Sequence, residues 1–90
     1  MKVSELLSDE SKWCQWAWAV NSCGFNVSVL SEHARRWDLP GAISKCYGPG
    51  VESGAVFARV QEATGANGLA NWNDTHTYAE VKALVDELGI

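Results

Sequence analysis

The chain has 90 residues, 47% of them apolar and 20% charged, which is the composition of one globular domain and excludes a disordered protein. Its 11 acidic and 7 basic side chains give a net charge of −4. That balance argues against binding to nucleic acid, because such affinity rests on Lys and Arg neutralising phosphates. No apolar run approaches the roughly 20 residues that span a bilayer, so we expect no membrane partner.

The three cysteines, Cys14, Cys23 and Cys46, have no C-x-x-C spacing and no zinc-like interval to either histidine. This pattern predicts free thiols, no bound metal and no cofactor. The first residues also lack the apolar run of a signal peptide. Together these features indicate a protein of the reducing cytoplasm.

Two different elements fit the N-terminal part of the chain. Residues 3–7 predict one short helical turn. After cap-type residues at 8–11, the spacing of Trp13, Trp16, Ala17 and Val20 is that of a helix face. Alternating apolar residues over 16–20 and 25–29, with a turn at 21–24, instead indicate a hairpin near residues 16–29. We favour the helix, ending near Val20.

The sequence pattern in the middle of the chain predicts more helical structure, which a proline interrupts. A helical stretch opens at Ser31 and carries Ala34 and Trp37 on one side. Pro40 leaves two alternatives: either Asp38 caps a second helix with Pro40 in its first turn, or one helix is kinked there. The Gly-Pro-Gly sequence at 48–50 then ends helical structure.

Two more helices complete the prediction. Ser53 is the expected cap of a helix that stops at Gly65. Thr77 and Glu80 form a capping box for the last helix, which ends at Gly89. The sequence therefore predicts one mostly α domain of four or five short helices over residues 1–90.

The most polar candidate site precedes the last helix. Residues 70–78 read A-N-W-N-D-T-H-T-Y, and we expect a loop before Thr77. A structural interpretation assigns Trp72 to the core, Thr77 to the helix cap, and Asp74 or Thr75 to the preceding turn. A functional interpretation makes this loop a binding site, through four hydrogen-bonding side chains within six residues: Asn71, Asn73, Asp74 and His76.

Two other stretches carry candidate binding residues. In a helical 13–20 segment, Trp13 and Trp16 share a face, so Trp18 points away and is expected to be part-exposed beside Gln15. Arg35 and Arg36 form the one basic pair, and they are either a solvated surface or a clamp for carboxylate or phosphate. No nucleophile stands beside a partner that activates it, so we predict no catalytic residues and no enzyme.

Three motifs in order resemble an uncharacterised family of short bacterial and phage proteins. The family signature is W-x-Q, then R-W-C-x-x-G-A-L, then W-N-D followed by a T-x-x-E-V helix. The corresponding stretches here begin at Trp13, Arg36, Trp72 and Thr77. The chain departs from the signature at Asp38, where the family has Cys, and at Pro40. The resemblance implies no reaction, and it favours a phage accessory protein acting in the host cytoplasm.

The resemblance also implies either that the motif residues act together as a site or that they form one packed scaffold, with Gly41 allowing close helix approach and with Asn73 and Asp74 hydrogen-bonded to the backbone. These residues are Trp13, Gln15, Trp37, Gly41, Trp72, Asn73 and Asp74.

These observations lead to one expected function and two alternatives. We expect a small protein-binding module, encoded by a phage or mobile element, that inhibits a host protein, for example one of a defence system. A small-ligand binder for a nucleotide is the alternative, and a hydrolase centred on Asp74 and His76 is a third hypothesis.

Overall fold

The computed structural model describes residues 1–90, and the mostly α prediction is confirmed. Two strands of two residues each and one 3₁₀ turn, Glu10–Lys12, interrupt the helical structure. The five helices are α1 Val3–Leu6, α2 Leu39–Tyr47, α3 Val51–Thr64, α4 Leu69–Asp74 and α5 Tyr78–Leu88; the strands are β1 Ala19–Val20 and β2 Arg36–Trp37.

Helix α2 is the centre of the core. It packs against α1, α3 and α4, while α5 packs on α1. Its Leu39, Ala42 and Ile43 are completely buried, as are Val81 and Val85 of α5. Each large aliphatic side chain removed from water contributes about 1.5–3 kcal/mol, so this cluster is the main source of stability.

The favoured helix over residues 13–20 is wrong. After the 3₁₀ turn the chain is irregular, with bends over residues 15–18, as far as β1. Distant groups satisfy the backbone of this segment. The Cys14 N–H donates to the Trp37 carbonyl at 3.1 Å, and the Trp18 carbonyl accepts the Asp38 N–H at 3.2 Å. These long-range bonds replace the hydrogen bonds that a helix would form within the segment.

A small sheet layer takes the place of the predicted helix. β1 pairs with β2 in antiparallel register, with Ala19 opposite Trp37. Isolated bridges extend the layer on both sides, from Trp13 to Trp37 and from Val20 to Asn26. The alternative hairpin interpretation is therefore right about the turn at 21–24, but the main partner of β1 comes from residues 36–37.

The first of the two alternatives at Pro40 is confirmed. The Asp38 carboxylate accepts the Gly41 N–H at 2.7 Å as N-cap of α2, and Pro40 lies in the first turn, where no donor is needed. The helix predicted to open at Ser31 is wrong. The Arg35 N–H instead donates to the Val20 carbonyl at 2.8 Å, which draws this segment to the sheet.

The boundaries of the C-terminal helices were mostly predictable. The N-cap of α3 is Gly50, so the prediction of Ser53 as cap is wrong, and Ser53 lies buried within the helix. Gly65 and Gly89 end α3 and α5 in left-handed conformation, as predicted. The capping box of Thr77 with Glu80 is also confirmed.

The polar stretch before α5 is helical, contrary to the prediction of a loop. Residues 69–74 form α4, which packs on α2 with Leu69 and Asn73 buried. The expected loop is limited to the three residues after it. The change matters for function, because a helix fixes each side chain of the stretch in a direction that a loop would not.

Replacement of Gly41 by Ala tests the close approach of α2 to the 13–18 segment. A Cβ at Gly41 would overlap the backbone carbonyl of Trp18, so we expect a loss of about 2–4 kcal/mol in the free energy of unfolding. The matched control is Gly54→Ala in α3, where a Cβ meets nothing within 4 Å. That variant should be neutral or up to about 1 kcal/mol more stable. Urea unfolding measures both, and equal effects would contradict the close approach.

Candidate functional site

Asn73 is the centre of a buried hydrogen-bond network. Its side-chain oxygen accepts the indole N–H of Trp13 at 2.7 Å and the backbone N–H of Leu39 at 3.0 Å. Its side-chain nitrogen donates to the Cys14 carbonyl and to the Asp74 carboxylate, both at 3.1 Å. All four hydrogen-bonding positions of the amide are used. Asn73 is therefore not available to a ligand.

Gln15 is likewise committed to the fold. Its side-chain nitrogen donates to the backbone carbonyls of Asn73, Asp74 and His76, at 3.3, 3.2 and 3.1 Å. These carbonyls lie at the C-terminal end of α4, where a helix leaves acceptors without partners. The Gln15 amide thus caps α4 from outside the helix and ties it to the 13–18 segment.

The Asp74 and His76 side chains point to different partners. The Asp74 carboxylate accepts the Trp16 backbone N–H at 2.8 Å. His76 hydrogen-bonds through Nδ1 to the carbonyl of Trp72 and stacks on the Trp72 ring, with centroids 4.0 Å apart. No hydrogen bond joins the carboxylate to the imidazole, so the geometry does not assemble the acid–base pair of the hydrolase hypothesis. Asn71 is exposed on the outer side of α4.

Trp16 is the conformational outlier of the chain. Its φ is +69°, and it is the one residue other than glycine with positive φ. Such a backbone costs a bulky residue about 1–3 kcal/mol and persists only where the surroundings hold it. The hydrogen bond from its N–H to Asp74 provides that restraint. The side chain gains nothing from the core, because 75% of its surface is exposed.

The remaining candidate residues, Trp18, Arg35 and Arg36, have different surroundings in the structure. Trp18 is 49% exposed, which confirms that it is part-exposed. The Arg35 guanidinium donates to the carbonyls of Glu32 and Ala34, at 2.7 and 2.9 Å, and so is tied to its own loop. Arg36 is exposed and lines a surface cleft beside Gln15. Of the predicted set, Gln15, Asn73 and Asp74 belong to one network, and Arg36 lies beside it.

Two adjoining shallow clefts lie over this network, and both are lined by Cys14, Gln15 and Arg36. The first, of about 350 Å³, is completed by Glu10, Trp13 and Trp16. The second, of about 370 Å³, is completed by Val20 and the residues of the 21–24 turn. Arg36 lines both clefts, and Trp16 lines the first of them.

Cys14 is not equipped for nucleophilic chemistry. Burial raises the pKa of its thiol to about 12, and the nearby Asp38 carboxylate adds to the effect. The thiol donates to the Ala17 carbonyl at 3.4 Å. A thiol that stays protonated is a poor nucleophile and a poor metal ligand. No group of three or more His, Cys, Asp or Glu side chains lies close enough to hold a metal ion.

No protein-family model, curated protein or solved structure matches this chain. None of the five helices is long and apolar enough to cross a membrane. The site is therefore described by its geometry alone: a buried Asn-centred network that presents an exposed tryptophan and a neighbouring arginine.

The importance of Trp16 could not be read from a helical interpretation of residues 13–20. Helical spacing puts Trp16 on the buried face with Trp13, whereas the observed backbone, with its positive φ at this residue, turns the ring to solvent. Hydrogen bonds between the backbone and the side chains of Asn73 and Asp74 were one of the two interpretations of the family resemblance, and the structure confirms them; their particular partners were not predicted. The polar cluster around Trp72 was the sequence signal for this network. It does not show which of its side chains point into the protein.

Substitution of Asn73 by Ala tests whether the network carries the fold. The variant leaves the Trp13 indole, the Leu39 N–H and the Cys14 carbonyl without their partner, so we expect a loss of about 3 kcal/mol or more in unfolding free energy. Asn71→Ala, on the exposed side of the same helix, should change it by less than about 0.5 kcal/mol. Chemical denaturation measures both. Similar values for the two variants would show that the network is dispensable.

The buried carboxylate of Asp38 predicts a pH dependence of stability. Burial raises the pKa of Asp38 to about 7, and the nearby Asp74 carboxylate adds to this, while the hydrogen bond from Gly41 opposes it. In the unfolded chain the same carboxyl titrates near its ordinary value of 3.8. Between these two pH values the folded state binds more protons than the unfolded state, so its stability must fall as pH rises.

Asp38→Asn isolates this contribution, because Asn caps a helix as well as Asp does and carries no charge. We expect the stability of the variant relative to wild type to rise by about 4 kcal/mol from pH 4 to pH 8, since the gap between the folded and unfolded pKa values contributes about 1.4 kcal/mol per pH unit. Thermal unfolding across this range measures it. Glu62→Gln, at an exposed position, is the control and should keep the wild-type profile. A constant difference between Asp38→Asn and wild type would contradict the buried charge.

Proposed function

We propose that this protein is a small binding module that contacts another protein through a surface centred on Trp16. The observation that carries the proposal is an exposed tryptophan held at a φ of +69° by a buried network. Strained backbone at an exposed aromatic side chain does not stabilise the fold, so it favours a role in recognition. Tryptophan is also the side chain most enriched among residues that dominate binding energy.

The surroundings of Trp16 support a protein partner. Six large apolar side chains are exposed in the whole chain, and four of them, Trp16, Trp18, Phe25 and Leu30, lie in the helix-free segment between α1 and α2. The ends of this segment are fixed by the hydrogen bonds of Cys14 and Asp38. A contact segment that is already ordered loses little entropy on association, which favours affinity.

The choice of partner rests on the motif resemblance. The W-x-Q and W-N-D motifs, whose residues build the network under Trp16, are similar to those of uncharacterised bacterial and phage proteins. We therefore propose a phage- or mobile-element-encoded protein that binds and inhibits a host protein in the host cytoplasm. The net charge of −4 keeps such a protein away from nucleic acid and is compatible with a basic region on the partner.

A small-ligand function is the second candidate, favoured by one observation. Trp16 and Arg36 line the same cleft of about 350 Å³, and an aromatic ring beside a guanidinium suits a base and a phosphate. The predicted ligand contacts from Asn73 and Asp74 are not available to it, because both side chains are hydrogen-bonded within the protein.

Two substitutions at Trp16 separate binding from folding. Trp16→Ala removes the ring and keeps the strained backbone, whereas Trp16→Gly removes both. We expect both to weaken partner binding at least about tenfold, and only the glycine variant to gain stability, by up to about 1 kcal/mol. The matched control is Val51→Ala, an exposed apolar position at the start of α3, which should bind as wild type does.

The measurement is capture of partners from bacterial host lysate by tagged wild type and the three variants, with mass spectrometry of bound proteins and small molecules. A protein captured by wild type and Val51→Ala, and lost from both Trp16 variants, supports the proposal. Equal capture by all four proteins would refute the Trp16 surface. A nucleotide retained without any protein would establish the second candidate instead.

A further inference from the structure

Arg36 is a cation without a partner inside the protein. Successive residues of a strand point to opposite faces, and in β2 the Trp37 ring is buried while Arg36 faces solvent. The ion pairs of the chain involve other residues, and no hydrogen bond of the protein uses the Arg36 guanidinium. Its neighbour Arg35 is in contrast tied to two carbonyls. Arg36 is thus the arginine that is free to bind an external anion.

The cleft between Arg36 and the 21–24 turn suits a single negative charge. Arg36 is the only charged residue among those that line it. The turn is fixed by the Asn21 side chain, which accepts the N–H groups of Cys23 and Phe25 at 2.9 and 3.0 Å. Ser22, on the same turn, forms no hydrogen bond within the protein, so its hydroxyl is a second free donor.

We propose that this cleft receives the carboxylate of an acidic side chain on the protein partner, with Arg36 as the cation and Ser22 as a hydrogen-bond donor. The inference rests on the proposed function, since it names the partner group that docks in the cleft adjoining the one lined by Trp16. The planar guanidinium binds both oxygens of a carboxylate in one plane. A carboxylate matches the single cation of the cleft, whereas a phosphate dianion would leave one negative charge uncompensated in a protein already at −4.

A nuclear magnetic resonance titration tests the site without knowledge of the partner. The probes are N-acetyl-glutamate N-methylamide, its neutral glutamine analogue, and inorganic phosphate, each added at constant ionic strength to the ¹⁵N-labelled full chain. We expect saturable shifts of the Arg36 side-chain N–H and the Ser22 amide with the glutamate probe only. Arg36→Gln should weaken its binding by about tenfold or more. Arg35→Gln, which changes the net charge equally, should leave the affinity unchanged.

The outcomes distinguish this site from the proposed function. Equal binding of the glutamine probe, or equal weakening by Arg35→Gln, would overturn the carboxylate site and leave capture of a partner through Trp16 unaffected. Tighter binding of phosphate than of the glutamate probe would overturn it in favour of a phosphate ligand. Conversely, selective glutamate binding together with partner capture that does not depend on Trp16 would keep the carboxylate site and refute the Trp16 surface.

Discussion

The buried amide of Asn73 is the interaction on which the rest of the structure depends. One side chain joins three parts of the chain: the indole and backbone of the 13–14 segment, the first turn of α2, and the end of α4. Helices α2 and α4 also pack through apolar contacts, but the 13–18 segment has few such contacts of its own. Its course over the domain is determined by hydrogen bonds, and the Asn73 side chain forms two of them.

A network of this kind explains how a small domain holds an unfavourable conformation at its surface. Gln15 and Asp74 continue the network outward to the backbone of Trp16. The strain at Trp16 is opposed by a charge-assisted hydrogen bond, which contributes more than a neutral one. The polar residues that looked like a ligand site therefore act as a support for an exposed ring. In this protein the W-x-Q and W-N-D motifs are neighbours of Trp16, which itself lies outside both motifs.

The close approach of backbone segments around α2 completes this arrangement. Gly41 has no Cβ, so the Trp18 carbonyl lies against the first turn of the helix. Asp38 caps the same turn and holds its carboxyl away from water, next to Asp74. The buried carboxyl of Asp38 makes the junction sensitive to pH. The exposed Trp16 lies next to this junction, so the stability of the fold and the proposed contact surface depend on neighbouring residues.

The sequence by itself determined the elements whose signals are local. Thr77 with Glu80, and the terminal glycines Gly65 and Gly89, act within one helical turn, so their helix boundaries were predictable. Asp38 with Pro40 limited the start of α2 to two alternatives, and the structure selects the cap. Only the tertiary structure decided the 13–20 segment and the direction of the polar side chains around Trp72. The partners of Trp13 and Trp16 are 60 and 58 residues away along the chain, and periodicity contains no information about them. Helical spacing placed Trp16 in the core, whereas the long-range hydrogen bonds that Trp13 and Trp16 donate to Asn73 and Asp74 hold the segment in a non-helical course and turn the Trp16 ring to solvent.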